Sequence, residues 1–268
     1  METDATRIAI IDAAGRMGKR ITALTADNEA FEIVCATEYS GSPDIGKDIG
    51  RLAGIEPVGV AVTEGLSGDT PDVAIDFSLP DGTMKFLGPC RDGGIAMVIG
   101  TTGLTADQEA EILESAGAIP IVKAGNFSMG ITLLCKLAAI TAEALGENYD
   151  IEISETHHRF KKDAPSGTAI MLARSICKAV SKDYDESVVF GRSGECPRNP
   201  GEIGIHAIRL GDTIGEHSIS FGSLGETVTL GHSAHTRDTF VRGALDAAKW
   251  LEERAPGMYD MTDVLGLK

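Results

Sequence analysis

Residues 7–38 leave this chain few ways to fold. Residues 7–11 (R-I-A-I-I) are a short β-branched apolar run, the pattern of a strand buried on both faces. Asp12-Ala13-Ala14-Gly15-Arg16-Met17-Gly18 follows, and then Ile21, Leu24 and Thr25 fall at helical spacing. Residues 31–37 (F-E-I-V-C-A-T) form a second strand closed by Glu38. Strand, glycine turn, helix, strand and an acidic residue about 20 positions on is the layout of a dinucleotide-binding βαβ unit. Glycines tighten such a turn so that a pyrophosphate can approach the helix N-terminus, and the acidic residue accepts from the ribose hydroxyls. Asp12 occupies the place of the first glycine. An ionised carboxylate about 4 Å from a phosphate costs about 4 kcal/mol at an effective dielectric near 20, and the helix dipole returns only about 0.3–1 kcal/mol. Either the Asp12 side chain turns away from a cofactor or dinucleotide affinity is weakened.

The theme repeats downstream. Residues 73–77 (V-A-I-D-F) end in Ser78-Leu79-Pro80-Asp81-Gly82, residues 96–99 in Gly100-Thr101-Thr102-Gly103, and residues 119–122 in Ala124-Gly125-Asn126-Phe127-Ser128. Residues 83–90 and 107–116, between them, have helical patterns. In a doubly wound sheet these carboxyl ends face one crevice, and three aligned turns of small, hydroxyl or amide residues favour a cofactor site there. Residues 41–68, rich in glycine and poor in large apolar residues, read as loop. Residues 129–145 form a long amphipathic helix. After Asp150, residues 188–190, 203–210, 217–221 and 227–234 are β-rich with Gly-rich turns, as in a mixed or antiparallel sheet. Residues 239–251 are helical and residues 258–267 a short tail. The expected fold class is α/β: a Rossmann-like doubly wound parallel sheet, with a second α+β domain built on a mixed or antiparallel sheet. The dinucleotide-binding domain is placed at residues 1–128 plus 238–268, and the second domain at residues 129–237.

Residues 155–169, E-T-H-H-R-F-K-K-D-A-P-S-G-T-A, set His157, His158, Arg159, Lys161 and Lys162 beside a Pro-Ser-Gly-Thr turn. Ile151-Glu152-Ile153 leads in with strand alternation. Ile170, Ala173, Ile176, Cys177 and Val180 follow at helical spacing, with Ser166 at the N-cap position. N–H groups at a helix start, with Lys161 and Arg159, make a site for a carboxylate or phosphate. A nearby histidine titrates near neutral pH and can pass protons. Against 24 Lys and Arg stand 40 Asp and Glu, a net charge of −16. So acidic a chain is a poor partner for nucleic acid or a membrane surface, and its one cationic cluster suits a small anionic ligand. The five cysteines are widely spaced with no C-x-x-C pair, which points to reduced thiols. With no signal peptide and no apolar run near the ~20 residues that span a bilayer, a soluble cytoplasmic protein is expected. His206, His217, His232 and His235 lie in or near β segments without metal-ligand spacing; structural or interface histidines are expected, and no metal.

Several motifs together closely resemble the dihydrodipicolinate reductase family, the 4-hydroxy-tetrahydrodipicolinate reductases of bacterial lysine and diaminopimelate biosynthesis. They are A-A-G-R-M-G, Glu38, D-F-S-L-P, G-T-T-G, G-N-F-S, the 155–169 loop, I-R-L-G-D-x-x-G-E-H and M-Y-D-M-T-D-V-L, and they run the whole length. The resemblance implies a homotetrameric enzyme that reduces a cyclic dicarboxylic imine with NADH or NADPH, with residues 129–237 as the substrate-binding and oligomerisation domain. Carried over residue by residue, it makes His157 the proton donor and acceptor and Lys161 the second acid group. His158, Gly167 and Thr168 would hold substrate carboxylates. Ala13, Gly15, Arg16 and Met17 would line the pyrophosphate turn and Glu38 would bind the adenosine ribose. Gly100, Thr101 and Thr102, with Ala124, Gly125, Asn126 and Phe127, would hold the nicotinamide end. Tyr39 stands where some members carry an arginine for the 2′-phosphate of NADPH; beside Glu38, this leads us to expect NADH to be preferred. Phe160 replaces a residue that is often polar. Two other readings compete. A dehydrogenase of another small carboxylate would come from families that lack the H-H-x-x-K-x-D-A-P-S-G-T run. A dinucleotide-binding sensor without catalysis would need neither His157 nor Lys161.

Overall fold

A computed structural model describes residues 5–268, which leaves residues 1–4 of the expected first domain outside the described residues. Two compact units emerge. Unit 1 takes the described chain up to Phe127 and resumes with Asp238–Gly266; unit 2 is Ser128–Arg237.

Unit 1 opens as β1 (Thr6–Ile11), α1 (Arg16–Thr25), β2 (Phe31–Thr37), α2 (Ile49–Ala53), β3 (Val62–Thr63), β4 (Val73–Asp76), α3 (Pro80–Gly93), β5 (Ala96–Ile99), α4 (Ala106–Ser115) and β6 (Pro120–Lys123). Unit 2 follows with α5 (Met129–Leu145), β7 (Asp150–His157), α6 (Gly167–Ala179), α7 (Tyr184–Ser187), β8 (Val188–Phe190), β9 (Ile203–Arg209), β10 (Gly215–Ser223) and β11 (Glu226–Ala234). The chain then returns to unit 1 as α8 (Asp238–Leu251), β12 (Gly257–Tyr259) and α9 (Met261–Val264).

The unit 1 sheet is parallel throughout, in the order β12-β6-β5-β4-β1-β2-β3. Its central strands are continuous apolar runs because both faces are covered. On one face Ile8, Ile10, Ile75 and Val98 pack with Ile21 of α1 and Val241, Ala244 and Leu245 of α8. On the other, Ala9, Ile11, Met97 and Ile99 pack with Phe86, Leu87 and Cys90 of α3 and Ile112 of α4. The strand order reverses beside β1, so the turns after β1 and β4 open onto the switch point where α/β sheets take ligands.

The glycine-rich stretch at residues 41–68, expected as loop, contains α2 and β3. Asp48 caps α2 by accepting from Arg51 N, Gly54 ends it at φ 80°, and Val62 pairs with Ala36 of β2. Two-residue strands and one-turn helices are too short to show a period. The helix expected at residues 83–90 begins earlier, at Pro80: a proline in the first turn loses no hydrogen bond, and its fixed φ already suits the helix. The C-terminal tail supplies β12, which extends the sheet beyond β6.

The unit 2 sheet has the order β11-β10-β7-β9-β8, with β7 antiparallel to β10 and parallel to β9. Alternation divides its faces. Ile151, Ile153, Ile203, Ile205, Ile219 and Phe221 form a core with Ile131 and Leu134 of α5 and Leu172 and Ile176 of α6. Glu152, Ser154, Ser218 and Ser220 alternate with them and stay partly exposed. The expectation that no run reaches membrane-spanning length is corrected. Met129–Asn148, which is α5 with the 3-10 turn after it, is 20 residues long and apolar enough to cross a bilayer by length and composition. Its apolar residues lie on two sides of the helix: Ile131, Leu134, Ala138 and Ala142 are in the unit 2 core, whereas Leu133, Leu137 and Ile140 are exposed.

Candidate active site

The charged loop grows out of the core face of the unit 2 sheet. Ile151, Ile153, Glu155 and His157 alternate onto that face of β7, so the apolar row turns into a titratable one at the strand end. The register sets Arg209 of β9 opposite His157, and His217 of β10 opposite both Glu155 and His232 of β11. Glu155 is fully buried and every one of its lone-pair directions is used. Its Oε2 lies 2.6 Å from His157 Nδ1 and accepts from Arg209 Nη1 at 2.9 Å; its Oε1 accepts from Arg209 Nη2 and from Ser166 N, each at 3.0 Å. Arg209 Nη2 also donates to Asp163 O at 2.5 Å. Ser166 caps α6 by accepting from Ala169 N at 3.2 Å, and its Oγ lies 3.3 Å from His217 Nε2. The His157 and His217 rings meet edge to face, with centroids 5.2 Å apart.

Burial pushes Glu155 up, but the hydrogen bonds from Arg209, His157 and Ser166 outweigh it and hold the carboxyl below the ordinary range. Burial also lowers His157; Glu155 opposes that shift, and Lys161 and Arg209 add to it. His217, more deeply buried and next to His157, falls to about 4. With its Nδ1 committed to a carboxylate, His157 can exchange a proton with a ligand only at Nε2. Lys161 stands at the loop end, its Nζ 2.9 Å from Asp163 Oδ2 and its N–H donating to His158 O at 3.0 Å. Gly167 and Thr168 begin α6, where the helix dipole favours anions. His158 Nδ1 is buried without a partner among the described residues. Phe160 is 77% exposed, with its ring 6.3 Å from that of His158.

In unit 1 the turn after β1 has the form that a dinucleotide needs. Asp12 takes a left-handed φ of 59°, Ala13 N donates to Thr37 O at 3.0 Å, and Ala14 N to Glu38 Oε1 at 2.9 Å. A Cβ on Gly18 would collide with Asp12 O and Ala13, and one on Gly15 with the Asp12 carboxyl. The two glycines therefore serve close helix–strand packing and an open turn, and these residues fit a pyrophosphate. Arg16 and Met17 begin α1. The Asp12 carboxyl lies over Gly15 of the turn. Gly100, Thr101 and Thr102 follow β5, and Ala124, Gly125, Asn126 and Phe127 follow the neighbouring β6. Gly100 has no room for a Cβ beside the Phe77 ring, which packs edge to face on Phe127 at 5.4 Å. Thr101 Oγ1 donates to Ser78 O at 3.3 Å. Unit 1 thus gathers its sequence-predicted residues along one carboxyl edge, and unit 2 gathers His157, His158, Lys161, Gly167 and Thr168 around one loop.

Glu155 as a clamp and Arg209 were not singled out from the sequence, and His217 was read only as a structural or interface histidine. Arg209 shares a face of β9 with Ile203 and Ile205, and His217 a face of β10 with Ile219 and Phe221. A titratable side chain ending an apolar alternation was the signal available.

Two family models match the chain: "Dihydrodipicolinate reductase, N-terminus" over residues 6–127 and "Dihydrodipicolinate reductase, C-terminus" over residues 130–265. A 4-hydroxy-tetrahydrodipicolinate reductase of Hahella chejuensis is 45% identical over 266 residues, covering 98% of this chain and 100% of its own. One of Alkalilimnicola ehrlichii is 46% identical over 265 residues, covering 98% and 99%. Among solved structures, a dipicolinate-bound dihydrodipicolinate reductase from Paenisporosarcina sp. TG-14 superposes with a TM-score of 0.75 at 25% identity, covering 97% of this chain and 98% of that one. An amine dehydrogenase of Mycobacterium smegmatis, 14% identical with a TM-score of 0.63 over 96% and 95% of the two chains, shares the fold. With both halves of the family matched and near-full-length relatives well above 40% identity, the chain belongs to the dihydrodipicolinate reductase family of NAD(P)H-dependent oxidoreductases.

Proposed function

We propose that this protein reduces 4-hydroxy-tetrahydrodipicolinate to tetrahydrodipicolinate in lysine and diaminopimelate biosynthesis, in the cytoplasm and as a homotetramer, with NADH preferred to NADPH. The observation that carries the reaction is the Arg209–Glu155–His157 chain beside Lys161 and the start of α6. It is a positioned proton donor in a cationic setting suited to a small dicarboxylate. The dipicolinate in the Paenisporosarcina enzyme is a ligand of that kind.

When bound, the reduced nicotinamide supplies the hydride. Ala13, Gly15, Arg16 and Met17 hold its pyrophosphate and Glu38 the adenosine ribose; Gly100, Thr101, Thr102, Ala124, Gly125, Asn126 and Phe127 hold the nicotinamide end. His158, Gly167 and Thr168 hold the substrate carboxylates. His157 is neutral at rest because burial lowers its pKa. Two carboxylates brought nearby raise it again, so the imidazole charges as substrate binds. The clamp on Nδ1 then leaves Nε2 to give up the proton that completes reduction, and Lys161 offsets negative charge developing on the ring nitrogen or a carboxylate. A dinucleotide sensor would have no use for the clamp.

Oxidation of NADH and NADPH with freshly made 4-hydroxy-tetrahydrodipicolinate, followed by absorbance, tests this. His157→Gln is expected to lose about 10²-fold or more in kcat with KM little changed. Wild-type enzyme that binds a cofactor yet oxidises neither would overturn the reading.

A further inference from the structure

Three carboxyl side chains stand side by side at the carboxyl edge of the unit 1 sheet. Asp12 follows β1, Glu38 follows β2 and Asp76 ends β4, and the strands are neighbours in the order β4-β1-β2. Two of the three are committed. Asp76 is fully buried and accepts from Ser78 N at 2.9 Å and Thr83 Oγ1 at 2.5 Å. Glu38, only 4% exposed, accepts from Ala14 N at 2.9 Å and Tyr39 N at 3.3 Å. Asp12 sits between them in the left-handed conformation that a glycine adopts freely, its carboxyl over Gly15 of the pyrophosphate turn. Burial raises Asp12 to about 6, and Glu38, by charge and by hydrogen bonding, adds to the rise, with Asp76 contributing. From α3, Asp81 and Lys85 line the same cleft, but Lys85 Nζ is turned to Glu64 O at 2.6 Å; Arg16 at the head of α1 is exposed. Glu38 and Asp76 are thus the charged groups that act on Asp12, and both push it up.

We propose that Asp12 takes the dinucleotide in its protonated form, so that NADH binding at neutral pH draws one proton into the turn, held between Asp12 and Glu38, and the pyrophosphate meets an uncharged Asp12 carboxyl. The inference rests on the reading of this turn as the cofactor's pyrophosphate site. The choice between charge states is one of magnitude. With a phosphate about 4 Å from an ionised Asp12 and an effective dielectric near 20, binding would cost about a thousandfold in affinity, whereas protonating a group of pKa about 6 at pH 7.5 costs only about thirtyfold. Protonation wins. A family turn with glycine at this position has no such proton to bind.

Titration calorimetry of NADH into the full chain at pH 7.5, in two buffers of different ionisation enthalpy, reads the proton directly. Wild type is expected to take up close to one proton per NADH, with Kd weakening up to about tenfold per pH unit above pH 6. Asp12→Asn and Asp12→Gly are expected to take up none, to hold a Kd independent of pH between about 6 and 8, and to bind more tightly than wild type at pH 8 by an order of magnitude or more. Uptake that persists in either variant, or wild-type binding with no uptake and the same Kd at both ends of the range, overturns the proposal while leaving the cofactor site intact. Failure of wild type and both variants to bind NADH at any pH overturns the cofactor reading and the proposal together.

Discussion

Tyr39 and Glu38 end β2 side by side under opposite conditions. Glu38 is buried with both oxygens accepting from backbone N–H groups, and Tyr39 is 64% exposed on the rim of the same cleft. A ribose 2′-hydroxyl can donate to Glu38. A 2′-phosphate would meet that carboxylate with Tyr39, and not an arginine, next to it in the chain, which is the basis for expecting NADH to have the higher kcat/KM. Tyr39→Arg supplies the missing fork and is expected to raise kcat/KM for NADPH about tenfold or more, a charge-assisted hydrogen bond being worth about 1.5–3 kcal/mol. Kinetics of both cofactors with both proteins decide it, and a wild type that favours NADPH would refute the preference. Residues of this kind were legible because each sits within a few positions of a turn that announces it. Arg209 and Glu155 are 54 positions apart, and nothing local tells either one of the other.

At the scale of elements, the core face of the unit 2 sheet ends in a row of imidazoles from three strands: His157 on β7, His217 on β10 and His232 on β11, with His217 directly opposite His232. Burial lowers all three, and His217 falls from 6.5 to about 4. Such a group binds its proton more readily in the unfolded chain. Its effect is therefore absent above about pH 6.5, and stability drops as the pH falls from there toward 4, by about 3 kcal/mol for His217 alone. Urea unfolding of wild type and His217→Gln across that range is expected to show a shallower loss in the variant; parallel curves would mean that His217 is not buried neutral. The elements themselves were mostly readable from periodicity. β3 and β12, of two and three residues, escaped because so short a strand owes its existence to pairing with β2 and β6; β8, equally short, was legible only because Val188, Val189 and Phe190 are all strong strand formers.

At the scale of the molecule, the unit 2 sheet buries one face on α5 and α6, while its other carries small hydroxyl side chains, Ser220 Oγ lying 3.5 Å from Thr229 Oγ1, beside Glu152 paired with Arg192, Arg198 and His206. A partly exposed face on a five-stranded sheet suits self-association, the ground within unit 2 for the proposed homotetramer. Light scattering on the purified chain is expected to return four chains' mass, and Ser220→Arg or Thr229→Arg to return smaller species, because a buried unpaired charge is costly. A wild-type monomer would refute the tetramer, and tetramers that survive both changes would place the contact elsewhere.

Unit 2 is also an insertion: the chain leaves unit 1 after Phe127 and returns at Asp238. Val241, Ala244, Leu245, Ala248 and Leu251 of α8 complete a core that begins with Ile8 and Ile10 of β1. On the ribosome, the first strands made must wait for a helix that emerges more than two hundred residues later. The middle of the chain, whose sheet and helices are contiguous in sequence, is free to fold first. The usual amino-to-carboxyl order of domain maturation is therefore reversed, and the half that is born first is finished last.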